Sequence, residues 1–221
     1  MQARKAISER TPAATGVLVA LLVVAVAGAG YYAWRAHVQS RAHALLAEAI
    51  ATQEAPITTL GSTAAAGSYA NERARLQAAV AKFKSAADAY PSTDAGMYAR
   101  SQEAVGNVTL GNFTGATTAY QEVIRRAGDG IYGQMARLGL AEAQARGGQY
   151  DQAINTFKEM AQRKDGPLPI DGILMQLGRT YRDAGKRTDA QQTFNRLVQE
   201  FPESPFSADA KRELETLNKA T

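Results

Sequence analysis

The feature that most constrains this chain is a small residue followed four positions later by an aromatic one, repeated at an interval of 37 residues. Residues four apart lie on the same face of an α-helix, so each pair predicts one helix that packs through a small-and-aromatic face. A fixed period of this length indicates an array of stacked helical units and not a fold with one central core. The four pairs are Ala79 with Phe83, Ala116 with Tyr120, Ala153 with Phe157, and Ala190 with Phe194.

The last unit carries the fullest pattern and predicts two paired helices. Gly178 is small where the second helix crosses the first, and Tyr181 and Phe194 are large enough to fill the space between them. Pro202 lacks an N–H donor and ends the second helix. The positions that we assign to packing in this unit, beyond the pair already named, are Leu174, Leu177, Gly178, Tyr181 and Pro202.

Turn residues divide the rest of the chain into further helices. Short turns are predicted at Gly111-Asn112, Gly147-Gly148 and Gly185-Lys186, and longer breaks at residues 127–130 and 165–167. The last helix is polar on its outer side and is predicted to cap the array. The predicted helices are 69–90, 95–110, 113–127, 132–146, 150–163, 170–184, 187–200 and 205–219.

An apolar segment near the N-terminus predicts a membrane-spanning helix. Residues 17–34 contain neither a charged residue nor a proline, and eighteen residues at a helical rise of 1.5 Å cover about 27 Å, close to the thickness of a hydrocarbon core. Tyr31, Tyr32 and Trp34 cluster at one end, and three Lys/Arg before the span against two after it place the N-terminus in the cytoplasm. A cleaved signal peptide remains the alternative, because residues 27–29 form an A-x-A site.

The segments around the span complete the predicted organisation. Residues 1–16 form a short basic leader, and residues 35–55, which lack Gly and Pro, continue the membrane helix outward as a stalk. Residues 56–68 are rich in Gly, Ser, Thr and Ala and are predicted to be a flexible linker. The repeat domain then occupies residues 69–219.

These residues resemble those of tetratricopeptide-repeat proteins, and Phe201–Ala208 resembles the linker between repeats of bacterial envelope proteins of that class. The resemblance implies an all-α, right-handed helical solenoid behind a single transmembrane helix. The whole layout is similar to the ancillary SecYEG translocon subunit family, which implies a bacterial inner-membrane protein with a periplasmic repeat domain and partners at the translocon or among envelope proteins. The earlier units depart from the repeat pattern, since Glu103, Asn107 and Gln144 stand where large apolar residues are expected.

The composition argues against catalysis. The chain has no Cys, and its two histidines, His37 and His43, lie six positions apart in the stalk, on different faces of a helix. Ser–His or Cys–His catalysis therefore has no base in the repeat domain, and we expect no enzyme activity, cofactor or metal site. Residues 72–221 carry 20 Lys/Arg against 18 Asp/Glu, a balance that does not indicate nucleic-acid binding.

Function is therefore expected in protein binding, on the concave face that the first helix of each unit lines. We predict a membrane-tethered scaffold for partner proteins or peptides; the alternative is a structural subunit that self-assembles through its stalk and stacked repeats into a homo-oligomer. Arg179, Arg182 and neighbouring Arg146 are expected to hold a carboxylate or an acidic peptide by charge-assisted hydrogen bonds. Reversing two of them together, Arg179→Glu with Arg182→Glu, is therefore expected to weaken capture without changing thermal melting. The candidate partner-binding residues are Tyr98, Met135, Leu138, Glu142, Arg146, Met175, Arg179 and Arg182.

Overall fold

The computed structural model describes residues 2–58, 66–163 and 166–219, with side chains from residue 16 onward, and this part of the chain is almost entirely helical. Most of the predicted linker, residues 59–65, and Asp165 of the predicted break lie outside the described residues. The helices are α1 (Gln2–Gln53), α2 (Glu72–Ala89), α3 (Asp94–Thr109), α4 (Phe113–Ala127), α5 (Ile131–Arg146), α6 (Tyr150–Gln162), α7 (Ile170–Asp183), α8 (Arg187–Glu200) and α9 (Ser207–Lys219).

The helices form consecutive hairpins, each made of an inner helix and an outer helix. The pairs α3 with α4, α5 with α6, and α7 with α8 pack closely, and each hairpin also packs on the next, which gives the solenoid. The all-helical repeat fold predicted from the period is confirmed. The C-terminal helix α9 packs on α8 through its buried Ala210 and Leu217 and closes that end.

The last turns of α1 belong to the first hairpin. Ala42 and Ala49 are buried, and Ala49 packs with Phe83 of α2, beside Leu45, Leu46 and Ile50. The segment 35–55 was predicted as a stalk separate from the repeats. The structure instead places its apolar residues against α2 and α3, because the buried face of α2 would otherwise have no partner on that side.

The ends of the connection between α1 and α2 are paired with each other. The Thr58 amide donates to the Tyr69 carbonyl at 2.8 Å, and the Tyr69 amide donates to the Pro56 carbonyl at 3.0 Å. The Thr58 and Ser68 hydroxyls are 2.9 Å apart. These bonds bring Thr58 and Tyr69 together at the point where α2 begins.

Glycine makes the turn inside each complete hairpin. Gly111, Gly148 and Gly185 stand 37 residues apart in sequence and have positive φ angles of 79°, 77° and 73°. Residues with a Cβ rarely adopt this conformation, so the period recurs in the turns for a backbone reason. The predicted short turns are confirmed at all three places.

The aromatic residue of each pair fills the space between the helices of its hairpin. Phe83, Phe157 and Phe194 are no more than 2% exposed, and the four alanines at the small position are fully buried. Gly178 lies directly beneath the Phe194 ring, where a Cβ would come within 2.8 Å of Cζ. Close packing of small against aromatic residues is therefore what sets the distance between the helices.

The apolar part of α1 makes no contact with the solenoid. Its large side chains between Val17 and Trp34 are more than half exposed, and none of its most apolar window, of mean hydropathy 2.1, is buried. By length and composition this helix is able to cross a membrane. A signal sequence would satisfy the same criteria, so a helix apolar enough to span is what the structure establishes.

Candidate protein-binding face

The inner helices line the concave side of the solenoid. Along the described chain, α1 contacts α3, α3 contacts α5, and α5 contacts α7, whereas the outer helices α2, α4, α6 and α8 make no comparable contacts with one another. Helices that touch on one side and separate on the other curve the stack toward the touching side. We call the exposed side chains of α3, α5 and α7 on this side the inner face.

One row of the inner face is apolar. Tyr98 and Met135 occupy the same position in successive units and are 40% and 56% exposed. The next position in the row is Gly172, and Phe206 lies over it, with ring carbon Cε2 at 3.4 Å from where a Cβ would stand. The row therefore presents Tyr98 of α3, Met135 of α5 and Phe206, which lies between α8 and α9, to solvent.

A second row of the inner face changes from apolar to charged along the solenoid. Val105 of α3, which is 47% exposed, is followed 37 residues later by Glu142 and then by Arg179. Glu142 and Arg179 line a cavity of about 200 Å³ between α5 and α7, together with Arg146 and Gln176. Phe157 forms the floor. Three of the predicted binding residues, Glu142, Arg146 and Arg179, are therefore brought together in one polar cavity.

A related cavity, also of about 200 Å³, lies between α1 and α3 and is mainly apolar. Leu76, Val80 and Phe83 of α2 line it from below, and Val105 borders it on the inner face. The equivalent space between α3 and α5 is taken by Tyr120, whose ring lies against Gly139. Burial raises the pKa of Tyr120 to about 12, and the nearby Glu142 carboxylate acts in the same direction.

The two arginines that were predicted to hold an acidic partner face α9 instead. Arg182 forms ion pairs with Glu213 at 2.6 Å and with Asp183 at 2.8 Å, and Arg179 lies 3.6 Å from Glu213 and 3.8 Å from Asp209. Desolvation lowers the pKa of Arg182, but its hydrogen bonds to Glu213 and Asp183 outweigh it and raise the pKa. Reversing both arginines would therefore disturb the docking of α9, contrary to the expectation that melting would be unchanged.

Two further candidates lie at or below the surface of the core. Met175 is 1% exposed and belongs to the core cluster around Phe157 and Phe194, so it is not part of the exposed inner face. Leu138 is half-buried and packs against the same cluster. Of the eight candidates, Tyr98, Met135 and Arg146 are exposed, Leu138, Glu142, Arg179 and Arg182 are half-buried, and Met175 alone is buried.

The polar residues that depart from the repeat pattern have partners inside the solenoid. The buried Arg100 guanidinium contacts Glu103 at 2.6 Å and Glu122 at 3.0 Å, and also pairs with Asp88. This cluster links α2, α3 and α4. Burial raises the pKa of Glu103, although the Arg100 hydrogen bond opposes the shift. The period does not reveal this network; the nearest signal is the opposite charge of residues 100 and 103, three apart on a helix.

The amides Asn107 and Gln144 replace an aromatic residue at one position of the repeat. The side chain of Asn107 accepts a bond from Asn112 at 2.9 Å, and Asn112 in turn caps α4 by accepting from the Gly115 amide. The Gln144 amide donates to Gln152 at 3.2 Å. Both side chains therefore link the two helices of a hairpin by hydrogen bonds, whereas Tyr181 at the equivalent position links them by packing.

Hairpins stacked with their inner helices in contact define a helical-repeat protein, a class that generally binds other proteins and is typically non-catalytic. The chain belongs to the tetratricopeptide repeat-like domain family, whose model matches residues 13–205.

Solved structures support the same fold. Two crystal structures of a putative kinesin light chain from Podosopora anserina with nearly identical TPR-like repeats, one of them of a variant with a single substitution, superpose with a TM-score of 0.62. Each is 14% identical, over 82% of this chain and 87% of that chain, a likeness that shows the fold alone. No curated protein sequence matches this chain significantly.

Proposed function

We propose that the protein is a membrane-tethered scaffold that captures partner proteins or peptides on its inner face. The observation that carries this proposal is the row of exposed apolar side chains, Tyr98 and Met135 with Phe206, beside exposed Val105. Apolar side chains aligned on a concave surface indicate an interaction site, whereas single apolar residues scattered over a surface do not.

Crosslinking in cells tests the proposal. A photo-reactive amino acid at Met135 should capture a partner, and the same amino acid at Lys158, which is exposed on the outer helix α6, should capture none. Capture should be lost in the double variant Tyr98→Asp with Met135→Asp. The matched control, Asn155→Asp with Gln192→Asp, adds the same charge on exposed positions of the outer helices. Equal crosslinking from Met135 and Lys158 would refute the inner face as the binding site.

We further propose that the apolar helix anchors the chain in a bacterial inner membrane, with the N-terminus cytoplasmic and the solenoid periplasmic. The support is the exposed apolar segment of α1, the charge bias around it, and the resemblance to the ancillary SecYEG translocon subunits. Because the chain has no Cys, single cysteines at Ser8 and Glu203 can be labelled with a membrane-impermeant maleimide. Labelling at Glu203 alone in intact spheroplasts supports this topology. Labelling at Ser8, or a mature mass that lacks residues 1–29, refutes it.

The role at the translocon is testable through the same variants. If the inner face engages the translocon or the chains that leave it, translocon subunits or secreted proteins should be recovered with the Met135 crosslinker and not with the Lys158 control. If only unrelated envelope proteins are recovered, the proposed scaffold function stands and the proposed role at the translocon is refuted. Self-assembly through the stalk has less support, because Leu45, Leu46 and Ala49, which a stalk zipper would need, are packed on α2.

A further inference from the structure

The two cavities of the inner face occupy equivalent positions in the solenoid, two units apart. The first lies between α1 and α3 and the second between α5 and α7, each floored by the aromatic residue of the intervening outer helix, Phe83 and Phe157. Tyr120 fills the equivalent position between them. Neighbouring packed helices are about 8–10 Å apart, so the two cavities are separated by roughly 20 Å along the face.

The first cavity suits an apolar side chain. Leu76, Val80, Phe83 and Val105 provide its apolar lining, and Gln53, Glu72, Arg75, Gln102 and Thr109 provide its polar lining. A second, more open depression that shares Leu76 and Thr109 continues it toward Leu110. An aliphatic or aromatic group placed here would cover apolar surface. Of the two charged residues in the lining, Glu72 is exposed, and the Arg75 guanidinium donates to the Ala55 carbonyl at 3.2 Å.

Some charged groups of the second cavity have ion-pair partners within the described part of the chain and others do not. Asp183 is paired with Arg182, and Arg179 lies near two carboxylates of α9. Glu142 is half-buried, and burial raises its pKa, although the Arg146 charge opposes the shift. Among the described residues, its carboxylate makes neither a hydrogen bond nor an ion pair within 4.0 Å. Arg146 is exposed and remains in contact with water.

The half-buried Glu142 carboxylate, which makes no hydrogen bond or ion pair with the residues that the structure describes, gains more from an incoming cation than Arg179, which already lies near two carboxylates of α9, gains from an anion. A lysine or arginine could place its aliphatic stem on Phe157 and Ala145 and its charged end beside Glu142 and the Gln176 amide, which line the same cavity. Charge complementarity in this cavity therefore favours a cationic group. This charge is opposite to that of the acidic partner expected from the arginines in the sequence.

We infer that the inner face binds an extended partner segment that carries an apolar side chain for the first cavity and a lysine or arginine for the second. At about 3.3 Å per residue, a separation of roughly 20 Å places these two side chains about six residues apart. The inference rests on the proposed function and adds the chemistry of the partner to it.

Selection from a random peptide library tests this motif, with the full-length protein in lipid nanodiscs as the target. The unmodified protein should enrich peptides with an apolar residue and, about six positions away, Lys or Arg. Glu142→Arg should shift the enriched charge to Asp or Glu. Glu142→Gln, which keeps the shape, should weaken a selected peptide about tenfold and abolish its preference for a cation. Glu159→Arg, the same reversal at an exposed carboxylate of α6, should change neither.

The outcomes separate the inference from the proposed function. Enriched peptides that require Tyr98 and Met135 but show no cationic preference, or an acidic one, overturn the motif and leave the binding face standing. A preference that is unchanged in Glu142→Arg also overturns it. If no peptide is enriched on the unmodified protein over the Tyr98→Asp and Met135→Asp double variant, both the motif and the inner face are wrong.

Discussion

We predict that Gly178→Ala destabilises the protein, although alanine is the best helix former. The two preceding units carry Ala104 and Ala141 at this position, both fully buried, so sequence alone would favour Gly178→Ala. In the structure, the Phe194 ring lies over Gly178, and a Cβ there would stand 2.7 Å from Cδ1 and 2.8 Å from Cζ. Phe194 is itself fully buried and has little room to withdraw.

The expected magnitude comes from two opposing terms. The ring would have to move by roughly 1 Å to restore ordinary contact, and overpacking of a core by one carbon costs about 1–3 kcal/mol. Replacing glycine by alanine inside a helix stabilises the folded state by about 0.5–1 kcal/mol. The net prediction is a loss of between about 0 and 2.5 kcal/mol, with a central value of about 1 kcal/mol.

Gly172→Ala is the matched control, because it lies in the same helix and its Cβ would meet Phe206 at an ordinary 3.4 Å. This variant should gain about 0.5 kcal/mol, less than at mid-helix because Gly172 lies in the first turn. Urea unfolding of the full chain in detergent, followed by far-ultraviolet circular dichroism, measures both. Phe194→Leu, which shortens the side chain, should remove most of the penalty of Gly178→Ala in a double-mutant cycle. Equal stabilisation by the two alanines would refute the packing argument.

Three further predictions follow from the same packing and charges. Phe194→Ala should cost about 3–5 kcal/mol in urea unfolding, since it empties a fully buried site; a loss below about 1 kcal/mol would contradict the burial. Arg100→Leu should cost about 3 kcal/mol because it leaves the buried Glu103 carboxylate unpaired, and adding Glu103→Leu should recover much of the loss; independent, additive losses would contradict the network. Burial raises the pKa of Glu142, so its stabilising contribution is complete below the ordinary value of 4.5 and is lost as the pH rises through the folded-state pKa. Glu142→Gln should therefore be more stable than the unmodified protein at neutral pH but not in acid, and an advantage that persists on acidification would contradict this assignment.

The helices were predictable because their ends are marked in the sequence. The eight predicted repeat helices agree with α2–α9 to within three residues at each end. Gly111, Gly148 and Gly185 supply the positive φ angles that only glycine adopts readily, and Thr93 and Asn112 cap α3 and α4 with their side chains. Local backbone chemistry fixes these boundaries, so a single sequence contains them.

The first inner helix was not predictable in the same way. The connection from Gln53 to Glu72 is longer than the turns inside the other hairpins, so the 37-residue period does not extend to α1. The pairing of α1 with α2 depends on which apolar face is left uncovered in three dimensions. That choice is made by tertiary packing and leaves no short-range signal.

The binding face was predictable as a side of the solenoid but not residue by residue. Met135 and Leu138 are separated by less than a helical turn, yet the first is exposed and the second packs on the core. Small rotations of a helix decide between these outcomes. The partners of Arg179 and Arg182 lie on α9, about thirty positions away in sequence, and no helical spacing connects residues so far apart.

The continuity of α1 couples the direction of the inner face to the apolar segment. From Trp34, at the end of that segment, to Ala42, the first buried residue of the solenoid, the same helix covers only about 12 Å. Each residue inserted between them would turn the solenoid by about 100° around the helix axis, and about seven would return it to nearly its first heading. The length of this short stretch thus sets the direction in which the concave side opens relative to the apolar segment.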